Sequence, residues 1–98
     1  MQKQPVDILL VGQGLAGTVL AHELRLRKKN VLIIDEPGLS ACSRISAGMF
    51  NPVVFKRLTT SWMADELLKV LVPFYSGIEQ QLGTKLLYQR EIIKIFAE

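Results

Sequence analysis

The amino-acid sequence predicts an α/β fold: a parallel strand–helix–strand unit leads, and a loop, a second helix and a short β segment follow. Three observations carry this. Residues 6–11 (VDILLV) and 31–34 (VLII) are short, nearly continuous apolar runs, the pattern of strands buried on both faces of a parallel sheet. Between them Leu15, Val19, Leu20, Leu24 and Leu26 recur at helical spacing, with Ala16 and Ala21 small enough for close packing. A glycine-rich turn, residues 12–17, joins the first run to that helix.

The first strand is bounded by Pro5 and Gly12, and the helix is expected over residues 15–29. The second strand is closed by Asp35 and the Pro37-Gly38 pair. Strand, helix and strand within about 30 residues make a right-handed crossover. Residues 36–60 carry two prolines, two glycines and several hydroxyls without a long periodic stretch, and read mostly as an ordered loop. A second helix is expected from Thr60 or Ser61 to Leu82, with Leu67, Leu68, Leu71, Tyr75, Ile78 and Leu82 at helical spacing. Pro73 should kink or split it, and Gly83 should end it. The tail, residues 85–96, holds two β-like runs (LLY and IIKIF), to be read as a hairpin or one bent strand.

Composition narrows the class. The chain has 98 residues, so one domain is expected. Apolar residues make up 49% and mean hydropathy is +0.25, high for so short a chain, which points to apolar faces that pack on something further. An N-terminal portion of a longer protein, or an obligate oligomer, is the expectation, and as an N-terminal portion residues 1–98 should self-associate through an exposed sheet edge and apolar face or bind cofactor weakly. Net charge is +3, and the cluster Arg25, Arg27, Lys28 and Lys29 reads as a solvated helix end favoured by the macrodipole. With no aromatic residues interleaved, it does not read as a nucleic-acid surface. Cys42 is the only cysteine, so an intramolecular disulfide and a cysteine zinc cage are excluded. No signal peptide is evident, and no stretch nears the roughly 20 apolar residues of a membrane span. A cytoplasmic protein is expected, with no metal.

The turn is the informative motif. Gly12-Gln13-Gly14-Leu15-Ala16-Gly17 fits G-x-G-x-x-G between a buried strand and a helix, which is the context that gives the pattern meaning. Gly12 allows the tight turn, Gly14 lets backbone approach a pyrophosphate, and Gly17 lets the helix lie close to the sheet. The amides of Leu15 and Ala16 then open a helix whose positive pole faces the phosphates. Asp35 lies 18 residues after Gly17, with Glu36 beside it, near the spacing at which a carboxylate accepts hydrogen bonds from an adenosine ribose. That charge would repel a 2′-phosphate.

Together, DILLVGQGLAGTVLAHEL and VLIIDEP resemble the N-terminal fingerprint of two-dinucleotide-binding-domain flavoproteins, which implies a Rossmann-like unit. Residues 43–52 (SRISAGMFNP) resemble the loop after the second strand in the D-amino acid oxidase and glycine oxidase family. The resemblance covers roughly residues 5–55. It implies FAD as cofactor, with Gly12, Gly14 and Gly17 at the pyrophosphate and Asp35 at the ribose. It further implies Ser43, Arg44, Ser46, Ala47, Gly48 and Met49 along the pyrophosphate–ribityl chain and the flavin edge. The activity implied is oxidation of a C–N bond in a small amine or amino acid by hydride transfer to the flavin. Enzymes of this family are longer, so the whole chain is read as the N-terminal portion of the FAD domain, with residues 85–98 as the start of a substrate-domain β segment. No catalytic residue can be assigned within it.

This sequence departs from the family where a glycine often precedes the second strand. Here the turn is Lys28-Lys29-Asn30, and Asn30 is expected to take the left-handed conformation. Two other functions share the motif: an NAD-dependent dehydrogenase, which the long loop after the second strand fits poorly, and a non-catalytic nucleotide-binding or interaction module. His22 reads as helix surface or packing, Cys42 as a small, half-buried loop residue, and Trp62 as a packing anchor at the second helix.

Overall fold

Asp7, the one charged residue in the first apolar run, shows where the fold begins. The computed structural model, which describes residues 3–36, 38 and 42–97, pairs β1 (Ile8–Val11) with β2 (Val31–Ile34) in parallel. At the start of this pair Asp7 accepts the Asn30 N–H on Oδ2 at 2.8 Å, while its own N–H donates to the Asn30 carbonyl at 2.9 Å. The register then runs Ile8 to Val31 through Val11 to Ile34, and the Gly12 N–H closes it on the Ile34 carbonyl at 2.7 Å.

Alternate residues of a strand face opposite sides, so the register sorts the apolar side chains into two rows. Ile8, Leu10, Val31 and Ile33 are half-buried, and α1 (Leu15–Leu26) packs on both strands. Leu9, Val11, Leu32 and Ile34 form the other row and are exposed. The sequence predicts burial of both faces; in the structure a single helix covers one of them. Ala21 of α1 is buried, as its small side chain in a helix lying on a sheet requires.

Helix α1 stops at Leu26, three residues before the predicted end. The reason is a Schellman closure: the Lys28 N–H donates to Arg25 carbonyl at 2.9 Å and the Lys29 N–H to Leu24 carbonyl at 3.0 Å. Lys28 takes the left-handed conformation, φ 59°, in place of Asn30. Asn30 instead has its N–H committed to Asp7. Arg27 pairs with Glu23 at 3.1 Å on the exposed helix surface, as an i,i+4 pair.

Pro37 lies outside the described residues. A short helix α2 (Cys42–Ile45) follows within the stretch read as loop. Cys42 is exposed there, not half-buried.

The chain divides into two units, Met1–Phe50 and Asn51–Glu98. In the second, β3 (Val53–Val54) and β4 (Thr59–Thr60) form a small antiparallel hairpin. The Asn51 side chain accepts the Val53 N–H at 3.0 Å and fixes its entry, and the Ser61 N–H donates to the Pro52 carbonyl at 2.6 Å across its base. The short β segment thus falls here; residues 85–97 hold neither helix nor strand.

Helix α3 (Ala64–Leu82) begins later than predicted because Thr59 and Thr60 are taken by the hairpin. Its half-buried stripe is Leu68, Leu71, Phe74, Tyr75 and Ile78, while Leu67 and Leu82 are exposed. Pro73 lies inside α3 without splitting it, and Gly83, φ 64°, ends it. Trp62 does not anchor the helix. It sits in the turn before Met63, whose φ is 53°, and is 84% exposed. Among the described residues no helix is long and apolar enough to cross a membrane.

Candidate functional site

The site is built on the turn between β1 and α1. Gly12 leaves the strand at φ 98°, a conformation that L side chains rarely adopt. This throws the chain back so that α1 starts beside the strand end. Gly17, in the first turn of α1, then comes so close that a Cβ on it would overlap the Gly12 carbonyl oxygen. These two glycines are demanded by the protein's own backbone.

Gly14 is not. Its φ of −70° and ψ of −168° suit any residue, and a Cβ there would meet only Ser43 Oγ, at an ordinary 3.9 Å. It is the N-cap of α1, where serine or aspartate would accept the free amides of the first turn. Glycine makes no such bond, and α1 has no side-chain cap. Among the described residues, no side-chain cap accepts the amides of the first turn.

Gln13 is held on both backbone groups. Its N–H donates to Asp35 Oδ1 at 3.0 Å, and its carbonyl accepts from the Thr18 hydroxyl at 3.4 Å. The Thr18 N–H adds the first helical bond, to the Gly14 carbonyl at 2.9 Å. Asp35 follows directly on β2, so the parallel register delivers its carboxylate to the turn, just as the register delivers Asp7 to Asn30 at the other end.

Of the residues singled out in the sequence, the structure brings together Gly12, Gly14, Leu15, Ala16, Gly17, Asp35 and Ser43. Glu36, Arg44, Ser46, Ala47, Gly48 and Met49 are exposed on the chain that follows β2. Gly48 takes a positive φ of 68° there, which permits a sharp turn in that segment. Sequence reasoning missed Gln13 and Thr18. Both occupy positions where G-x-G-x-x-G prescribes nothing, and the available signal was a hydroxyl one residue after the last glycine. It also passed over Asp7, whose charge within VDILLV was the sign of a structural partner.

The turn thus combines an uncapped helix start, a glycine that neither φ nor packing requires, and a carboxylate at the adjoining strand end. Among the described residues no group of His, Cys, Asp and Glu is placed to hold a metal ion. In the second unit, a shallow depression at the end of α3 is lined by Ser76, Glu79, Gln80, Gly83, Thr84 and Lys85. Its carboxylate is already engaged: Glu79 Oε1 accepts the Leu86 and Leu87 N–H groups, both at 2.8 Å, and Oε2 meets Lys85 Nζ at 3.4 Å. These bonds, Leu87 first, then Leu86 and Lys85, hold the Glu79 carboxyl below the usual carboxylate range.

No family model matches the chain, and no solved structure matches it significantly.

Proposed function

We propose that the turn of residues 12–17 binds the pyrophosphate of an adenine dinucleotide, that the dinucleotide is FAD, and that the chain is the Rossmann-like FAD-binding part of a flavin-dependent oxidoreductase. The observation that carries this reading is Gly14. A glycine stands at the start of α1, where neither φ nor packing requires one and where no side chain of its own caps the helix.

In this reading the amides that open α1 hold the phosphates by direct hydrogen bonds and by the positive pole of the helix. Asp35 accepts from the adenosine ribose hydroxyls, and its charge disfavours a 2′-phosphate. Ser43, whose Oγ lies near the position of a Gly14 side chain, is placed to donate to the same phosphates, and Arg44 to neutralise them. The choice of FAD over NAD comes from the resemblance of residues 43–52 to the loop of the amino acid oxidases. Bound flavin would supply hydride acceptance from the C–N carbon of an amine or amino acid. The residues assigned above bind and orient; none of them is given a proton to move.

The test is calorimetric titration of the chain with FAD, ADP and NADH, for the wild type and Gly14→Ala. FAD and ADP should bind, and the substitution should weaken both by about tenfold or more, the loss of one to two charge-assisted hydrogen bonds. Its effect on unfolding should stay below about 1 kcal/mol, the scale of a changed cap. Binding of NADH without FAD would replace flavin by nicotinamide dinucleotide. Binding of none of the three would overturn the nucleotide reading.

A further inference from the structure

Asp35 is the carboxylate that the nucleotide reading assigns to ribose, yet the structure gives it a second task. Its Oδ1 accepts the Gln13 N–H at 3.0 Å, across a separation of 22 residues. Gln13 lies at the apex of the glycine turn, between Gly12 at φ 98° and the uncapped start of α1. Both of its backbone groups are taken, the N–H by Asp35 and the carbonyl by the Thr18 hydroxyl. Among the described residues Asp35 Oδ2 accepts no hydrogen bond from the chain.

We infer that Asp35 is a positioning residue for the glycine turn: Oδ1 fixes the Gln13 amide before any ligand arrives, and Oδ2 alone is left to receive one. The turn needs such a fixture. Gly12 and Gly14 flank Gln13, and glycine gives the backbone more freedom than any other residue. A turn free to rotate would have to be ordered by the ligand, and ordering lowers affinity. The bond to Asp35 meets that cost within the folded chain.

Two consequences follow. The Gln13 amide is withdrawn from the set that can hold a phosphate, which leaves the amides from Gly14 onward. The Oδ1 contact also calls for an acceptor oxygen and not for a charge, so asparagine can replace aspartate in positioning but not in binding a pair of ribose hydroxyls as a carboxylate does. The part played by Oδ2 rests on the nucleotide reading proposed above; the part played by Oδ1 does not.

The experiment is amide hydrogen exchange and amide chemical shift by NMR on the wild type, Asp35→Asn and Asp35→Ala, first without ligand and then with ADP as the probe. Without ligand, Asp35→Ala should speed Gln13 exchange by about tenfold, as loss of a single hydrogen bond does. Asp35→Asn should leave it within about twofold of wild type. The Asn30 amide, held by Asp7 at the far end of the strands, reports that the unit is still folded in each variant. Should Asp35→Ala unfold it, Asp35→Asn still decides, because it must keep Gln13 protected and yet bind ADP more weakly than wild type. Gln13 exchange unchanged in a folded Asp35→Ala, or raised in Asp35→Asn, would overturn the positioning role. With ADP on the wild type, the Gly14 and Leu15 amides should shift while Gln13 holds still. A Gln13 shift as large as that of Gly14 would overturn the withdrawal of its amide. If ADP shifts no amide at all, the nucleotide reading fails while the Oδ1 result stands on the ligand-free data.

Discussion

Both halves of this chain use carboxylates to hold backbone amides, and Asp35 in the first and Glu79 in the second differ in what they leave over. In residues 51–97, Glu79 has both oxygens engaged, Oε1 by the Leu86 and Leu87 amides and Oε2 by Lys85. It closes the end of α3 and leaves nothing to bind with. In residues 3–50, Asp35 holds a single amide, on an exposed turn beside helix amides that no side chain caps. A saturated carboxylate describes a structural clamp. Among the described residues, Asp35 has an oxygen without a hydrogen bond beside uncapped helix amides, which is what the proposed site requires. The depression near Glu79 is accordingly weaker ground for function than the turn near Asp35, although both have a helix end and a carboxylate.

The hardest way to break the comparison is Gly17→Ala. The added Cβ would overlap the Gly12 carbonyl, a backbone group that cannot rotate aside, so the turn and α1 must separate. A loss of about 3 kcal/mol, the upper end of overpacking costs, is expected from denaturant unfolding. Protection of the β1 and α1 amides should fall with it, and nucleotide binding should disappear. Amides of α3 should keep their protection if the two halves are separately held; equal loss in both would break the division.

Pro73→Ala tests the other half. Proline within α3 removes one helical hydrogen bond and crowds the preceding turn, a deficit of about 3 kcal/mol relative to alanine. The unfolded chain gains back up to about 1 kcal/mol of freedom when proline is removed, so a net gain of about 2 kcal/mol is expected. It should show as a higher unfolding midpoint confined to α3 and the Glu79 clamp, with the Gln13 and Asn30 amides unmoved. No gain would mean that α3 has already relaxed around its proline.

The first half was the more legible because its signals are local and redundant. Periodicity, a glycine turn and an acidic strand end all place β1, α1 and β2, and 31–34 was predicted with its observed ends. What remained hidden depended on partners distant in sequence. That Lys28, not Asn30, takes the left-handed position follows from Asn30 being bound to Asp7, a contact only the parallel register creates. The bond of Gln13 to Asp35 is hidden for the same reason, while that of Thr18 to Gln13 is local and forms only after Gly12 has turned. In the second half, IIKIF has the composition of a strand but no paired strand beside it, so composition alone misleads. Thr60 and Ser61 read as a helix start until the hairpin claims Thr60. The resemblance implies Ser43 along the pyrophosphate–ribityl chain, whereas the difference between Gly14 and the other two motif glycines depends on the backbone conformation and packing at each.

The smallest expected effect gives the comparison its sharpest form, because it separates the clamps by pH. Glu79 has its carboxyl held below the ordinary value of 4.5, mainly by the Leu87 and Leu86 amides. A lowered carboxylate stabilises the folded form fully above the ordinary value, and that contribution is lost as pH falls through the lowered one. Acidification should therefore move the Leu86 and Leu87 amide signals together, with a shared midpoint below 4.5. In Glu79→Gln the amide oxygen can still accept one of those N–H groups, but the charge and its titration are gone, so both signals should be flat over the same range. A midpoint at or above the ordinary value would mean that the amides do not stabilise the ionised form. The clamp would then be a contact of shape alone, and the contrast with Asp35 would rest on geometry without charge.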